Sequence, residues 1–184
     1  MQVRERTLEE IESKLKEMRT DLNKITYLES ALRQSFTYDI KRKIEEFLVK
    51  LYEDRKMFDK AAKAISAKAA IDITFREKIE SYLRAGELYA KAGRLDDSEQ
   101  MFVSALRNAN SEQQAKIKLT MKNIFFVMAQ ELERQGKRAT ALQFYEKLIR
   151  IPLADFEKKL VKDKLIDKYK QLGKFKEAKL LEGM

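Results

Sequence analysis

A chain of 184 residues has room for one domain of ordinary size, or for a short array of repeats sharing a core. Apolar residues make up 44% and charged residues 38%, with five glycines and one proline, the balance of a folded helical protein; the lack of cysteine and histidine excludes disulfides, thiolate nucleophiles, soft-metal sites and imidazole bases. The net charge of +9 permits attraction to nucleic acid, an anionic membrane surface or an acidic protein, but it is not one stripe: residues 41–68 and 156–184 each carry nine Lys or Arg against five acids, while residues 77–112 carry five against seven.

The opening "MQVRERTLEE" lacks the apolar core of a signal peptide, and the longest apolar-leaning run, "IFFVMA" at Ile124 to Ala129, is far shorter than the roughly 18 residues a membrane span needs. A soluble, cytoplasmic protein is expected. In residues 1–36, Leu8, Ile11, Leu15, Met18, Leu22 and Ile25 alternate spacings of three and four before the register shifts to Leu28 and Leu32. No Gly or Pro interrupts this seam, so one long N-terminal helix is predicted from about Thr7 to about Gln34. Two readings of the seam stand: packing against the chain's own first helix pair, or self-association as a coiled-coil homodimer.

Helix starts follow at regular intervals. Thr7 with Glu10, Thr74 with Glu77 and Ser111 with Gln114 are capping boxes by spacing, in which a hydroxyl and a carboxyl or amide satisfy orphan amides. Short breaks fall at "EDRKMFD", "KAGRLDD", "RQGKRAT" and "QLGKFKE", three of them built on a glycine able to end a helix in the left-handed conformation. Gly93, Gly136 and Gly173 thus mark a repeat, with Lys56 in the equivalent place earlier and successive separations of 37, 43 and 37 residues.

Across residues 37–184 the pattern resembles the tetratricopeptide repeat family. Tyr82, Ala85, Gly86, Tyr89, Gly93, Phe102 and Ala105 fall where that family has large, small, small, aromatic, turn, aromatic and small residues. Phe125, Met128, Ala129, Leu132, Gly136, Ala141, Tyr145 and Leu148 repeat the pattern, with Pro152 closing the unit; Leu165, Tyr169, Gly173, Phe175 and Ala178 do so again, and Leu48, Tyr52, Phe58, Ala61 and Ile65 form a first unit without the turn glycine. The family tryptophan is absent and the spacing irregular, as in a divergent variant. The resemblance implies an all-α fold: a right-handed superhelix, or solenoid, of about four antiparallel helix pairs after the N-terminal helix.

The resemblance further implies a non-enzymatic scaffold or adaptor that holds a peptide or amphipathic helix in a groove lined by the first helix of each pair. Carried over residue by residue, the groove candidates are Lys50, Leu83, Glu87, Phe126, Gln130, Arg134, Asp167 and Lys170. Phe126 stands out because adjacent Phe125 holds a core position, and neighbours on a helix cannot point inward at one spot. Glu87 and Gln130 stand where carboxylate-clamping members of the family need asparagine, so a chaperone-tail receptor is disfavoured.

Nothing in the residues points to catalysis. The acid pairs Glu9–Glu10, Glu45–Glu46 and Asp96–Asp97 read as solvated polar faces, and no EF-hand, phosphate loop or dinucleotide fingerprint is present, so no metal and no cofactor is expected. The alternative function is binding of RNA or DNA through the lysine-rich C-terminal stretch, with Tyr169 and Phe175 among its charges. Both aromatics fall at core positions of the repeat, and Asp163, Asp167 and Glu177 dilute the field.

Overall fold

The computed structural model describes residues 3–183, and all secondary structure among them is helical. In chain order the helices are α1 (Leu8–Glu17), α2 (Asp21–Ala31), α3 (Tyr38–Asp54), α4 (Phe58–Ile71), α5 (Phe75–Lys91), α6 (Leu95–Arg107), α7 (Ser111–Arg134), α8 (Arg138–Leu148), α9 (Asp155–Gln171) and α10 (Phe175–Glu182). They form two compact units, the first ending at Ser111 and the second beginning at Glu112.

The single N-terminal helix expected over residues 7–34 is instead two helices, α1 and α2. Met18 adopts an extended conformation (φ −78°, ψ 126°), and the Thr20 hydroxyl accepts a hydrogen bond from the Asn23 amide at 3.3 Å, starting α2. A straight rod of that length would run about 42 Å, against about 26 Å for α3. Breaking it lets both parts bury apolar residues in one core. Ile11 of α1 and Ile25, Leu28 and Ala31 of α2 are buried with Ile44, Leu48 and Tyr52 of α3 and Ala61 and Ala62 of α4. The seam therefore packs on its own chain, and of its residues only Leu22 is exposed.

Two of the three expected capping boxes form. Complete capping boxes join Thr7 to Glu10 and Thr74 to Glu77, while α7 has Ser111 as its first helical residue. The four helix-pair turns share one geometry. Lys56, Gly93, Gly136 and Gly173 have φ of 57°, 75°, 72° and 74°. In each, the amide of the next residue returns to the carbonyl five residues before itself: Met57 to Tyr52, Arg94 to Tyr89, Lys137 to Leu132 and Lys174 to Tyr169, at 2.8 to 2.9 Å. Lys56 thus does the work of a glycine.

Beyond the short repeat, the ion pairs recur at a longer interval. Arg42 of α3 donates to Glu77 of α5 at 2.8 Å, and Lys122 of α7 donates to Glu157 of α9 at 2.7 Å. Glu53 of α3 pairs with Arg84 of α5, and Glu133 of α7 with Lys164 of α9. Every partner of the second set lies 80 residues after its counterpart, as do Gly136 after Lys56 and Gly173 after Gly93. Helices α3–α6 and α7–α10 are therefore two versions of one four-helix arrangement, and positions 80 apart can be compared directly.

The arrangement is packed differently in each version. In the first unit, Gly86 lets α5 approach α6 so closely that an added Cβ would lie 2.9 Å from Cζ of Phe102, and the Ser98 hydroxyl donates to the Gly86 carbonyl at 2.7 Å. In the second, Phe125 of α7 and Phe144 of α8 meet edge to face, with centroids 5.6 Å apart. Val161 and Leu165 of α9 and Ala178 of α10 are also buried in that version.

Two expectations from the sequence are corrected. Glu45 is not on a solvated face: it is 8% exposed, on the stripe of α3 that also buries Ile44 and Leu48. Phe175 is not a core residue, being 63% exposed at the start of α10. In both cases the helical period was right, but the depth of the neighbouring helices, which is a tertiary property, set the burial.

Candidate functional site

The eight groove candidates divide between the two units. Lys50, Leu83 and Glu87 belong to the first; Phe126, Gln130, Arg134, Asp167 and Lys170 belong to the second. Each set lies on the first helices of pairs, α3 and α5 in one unit and α7 and α9 in the other.

In the first unit Lys50 is exposed, and Leu83 and Glu87 are half-buried. Glu87 accepts a bond from Arg84 at 2.6 Å and pairs with Lys91 at 2.7 Å. Burial pushes its carboxyl up, but Lys91 and Arg84 outweigh that and hold it below the ordinary range. Arg84 also reaches Glu53, so α3 and α5 are laced together across this face. The charges here satisfy one another.

In the second unit Gln130, Arg134, Asp167 and Lys170 are exposed and Phe126 is half-buried. Three of the four make local contacts: Arg134 lies 3.4 Å from Glu131, Asp167 meets Lys168 at 2.9 Å and Gln171 at 2.9 and 3.0 Å, and Lys170 meets Glu182 at 2.6 Å. The bonds from Lys168 hold the Asp167 carboxyl below its usual range.

The open apolar surface on these helices comes from residues the family pattern did not point to. Leu119 (52% exposed) and Val127 (59%) lie on α7, and Phe156 (74%) and Leu160 (45%) on α9. The Lys122–Glu157 pair, 18% and 17% exposed, fixes the two helices side by side next to Phe156. Glu157 also accepts the Ala154 amide at 3.0 Å, so one carboxylate both starts α9 and ties it to α7.

Three of these four places carry charges in the first unit, while Val127 is matched by half-buried Phe47, and the first unit in turn exposes Tyr38 and Phe75 where the second has Lys118 and Asp155. Eighty residues earlier, Leu119, Phe156 and Leu160 are matched by Asp39, Arg76 and Glu80, all exposed, and Arg76 and Glu80 form an ion pair at 2.9 Å. A single helical period could not reveal this contrast; the 80-residue register does. Exposed lysines flank the apolar residues, with Lys118 beside Leu119 and Lys158 and Lys159 between Phe156 and Leu160. From residue 112 onward the chain carries 17 Lys or Arg against 10 Asp or Glu, which is +7 of the total +9.

Near the C-terminal end, Tyr169 of α9 is half-buried and donates its hydroxyl to Glu146 of α8 at 2.8 Å, with Lys174 over its ring at 5.8 Å from the centroid. Its ring is thus engaged within the unit, while Phe175 stands exposed between Lys174 and Lys176. No helix among the described residues is long and apolar enough to cross a membrane. Set against known protein families, curated proteins and solved structures, the chain matches none.

Proposed function

We propose that the protein is a non-catalytic helical-repeat scaffold, a divergent relative of the tetratricopeptide proteins, that binds a protein partner on the α7–α9 face of its second unit. The right-handed superhelix implied by that resemblance is part of the proposal. The observation carrying it is the exchange of Asp39, Arg76 and Glu80 for Leu119, Phe156 and Leu160 at equivalent, solvent-facing positions. Exposed apolar side chains on two helices tied side by side, flanked by lysines, make a surface that a protein partner can cover.

The lysines around them select for an acidic amphipathic helix, whose apolar stripe would cover Phe156 and Leu160 while its carboxylates meet Lys118, Lys158 and Lys159. Capture of such a partner by the wild-type chain should be lost with Phe156→Glu and kept with Arg76→Glu, its counterpart in the first unit, both variants retaining the helical circular dichroism of the wild type. Equal capture by both variants rejects this face.

A second reading, binding of single-stranded nucleic acid, draws on Phe175 standing exposed between Lys174 and Lys176. It requires binding that weakens steeply and linearly in log salt and that falls on Phe175→Ala, neither of which the protein-docking face predicts.

A further inference from the structure

The first unit contains a cleft of about 390 Å³ between α2, α3 and α4, floored by Leu48 and Ala64, into which Glu45 opens. The 80-residue register explains why it is there. Glu45 occupies the place of Phe125, and Ala64 the place of Phe144, the two rings that pack edge to face in the second unit. Where one version of the arrangement fills its interior with two aromatic rings, the other keeps a methyl group and a carboxyl, and the space stays open.

Glu45 has no hydrogen-bond or ion-pair partner among the described residues, although it is 8% exposed. Every other charged group at the cleft is already engaged. Glu29 accepts the Tyr52 hydroxyl at 2.5 Å and lies 3.4 Å from Lys60, whose ammonium also sits 5.6 Å from the Tyr52 ring centroid. Lys63 is drawn off to Asp59 at 2.6 Å. Burial alone, with no compensating donor, pushes the Glu45 carboxyl up to about 7. Its oxygens still reach the solvent of the cleft, so the carboxyl is partly desolvated and without a counter-ion, and an entering cation would relieve it.

We propose that this cleft binds a primary ammonium group carried on an aliphatic stem, the ammonium meeting Glu45 and the stem lying along Leu48 and Ala64. The volume is in the range of small-ligand sites, and apolar walls with one convergent polar group are the usual make-up of such sites. The site lies wholly in the first unit and needs no partner protein, so it stands or falls separately from the docking face on α7 and α9.

The test is a titration of the full chain with hexylammonium, followed by amide chemical-shift changes around α3 and α4, with hexanol as the uncharged control. Saturable binding in the millimolar range is expected, at least about tenfold weaker for hexanol and for Glu45→Gln. Binding should tighten between pH 6 and pH 8 as Glu45 loses its proton. Ala64→Phe, which restores a ring at the Phe144 position, should abolish binding while leaving Glu45 in place. The same ammonium chemistry belongs to a free amine and to a lysine side chain; N-acetyl-lysine methylamide in a parallel titration separates them, the tighter ligand naming the source. Equal binding of hexanol and hexylammonium, unchanged binding by Glu45→Gln, or no saturation by either ammonium compound at about 10 mM would each overturn the assignment.

Discussion

Arg84 donates two hydrogen bonds to Glu53, from Nε at 3.1 Å and from Nη2 at 2.6 Å, joining α5 to α3 across the face of the first unit. The counterpart of Glu53 in the second unit is more deeply committed. Glu133, 14% exposed at its side chain, receives Lys164 at 2.9 Å, Lys168 at 2.8 Å and the Tyr145 hydroxyl at 3.1 Å. Removing the carboxyl leaves Lys168, whose side chain is 9% exposed, with the exposed Asp167 as its remaining counter-ion. Glu133→Ala is therefore expected to cost about 2 kcal/mol, below the cost of a fully stranded buried charge. Arg84→Ala, at a side chain 38% exposed, should cost about 1 kcal/mol. Urea unfolding of the two variants, followed by circular dichroism, checks the ranking.

Glu45 makes stability depend on pH near neutrality. Its folded carboxyl titrates at about 7, above the ordinary glutamate value, because the charged form is penalised by burial. A raised acid contributes stability fully below its unfolded pKa and loses it as pH rises through the folded value. The first unit should therefore weaken from about pH 4.5 to pH 7 and level off above that range. Glu45→Gln should flatten this slope and raise stability at pH 8 by up to about 3 kcal/mol. Thermal melts of both proteins at several pH values decide it; parallel profiles would mean the carboxyl is not buried.

Refilling the cleft tests the 80-residue register itself. Glu45→Phe together with Ala64→Phe recreates the Phe125–Phe144 contact in the first unit. The pair should be more stable than the sum of the two single variants by about 1 kcal/mol, the coupling of an edge-to-face aromatic contact. A double-mutant cycle measured in urea gives that number directly.

The turns offer a prediction of opposite signs. Lys56 holds a left-handed φ of 57°, which a side chain disfavours, so Lys56→Gly should stabilise by about 1 kcal/mol. Gly136→Ala, at φ 72° with open space around it, should destabilise by about the same amount through backbone strain alone. Gly86→Ala has a different cause: in mid-helix it gains about 1 kcal/mol of helix propensity but drives a methyl against Phe102, and a net loss of about 1 to 2 kcal/mol is expected. Melting temperatures of the three variants distinguish these effects.

What could be read without coordinates was whatever a few neighbouring residues decide. The helix ends at Gly93, Gly136 and Gly173, and the equivalent role of Lys56, depend on one backbone angle, and they stand where the spacing put them. The boxes at Thr7 and Thr74 close over three residues. The break at Met18–Thr20 escaped because the heptad seam and the Thr20 cap compete on equal local terms, and the choice is made by how much of α3 a straight rod could cover. The exposed apolar residues of the proposed docking face were not legible in the repeat pattern. The groove candidates fall on α3, α5, α7 and α9 alike, and on α7 and α9 Phe126 is half-buried while Leu119, Val127, Phe156 and Leu160 are exposed.

The order of apolar and polar residues along the chain, with its caps and left-handed turns, by itself determined an all-helical protein of paired helices, because those signals act within one or two turns of backbone. Which carboxyl is buried, which rings meet and which apolar side chains face water were decided only by tertiary packing. Glu45 and Phe125 occupy the same helical phase, and only the helices around them make one the wall of a cleft and the other part of a filled core. Burial depends on neighbours distant in sequence, and local patterning carries no record of them.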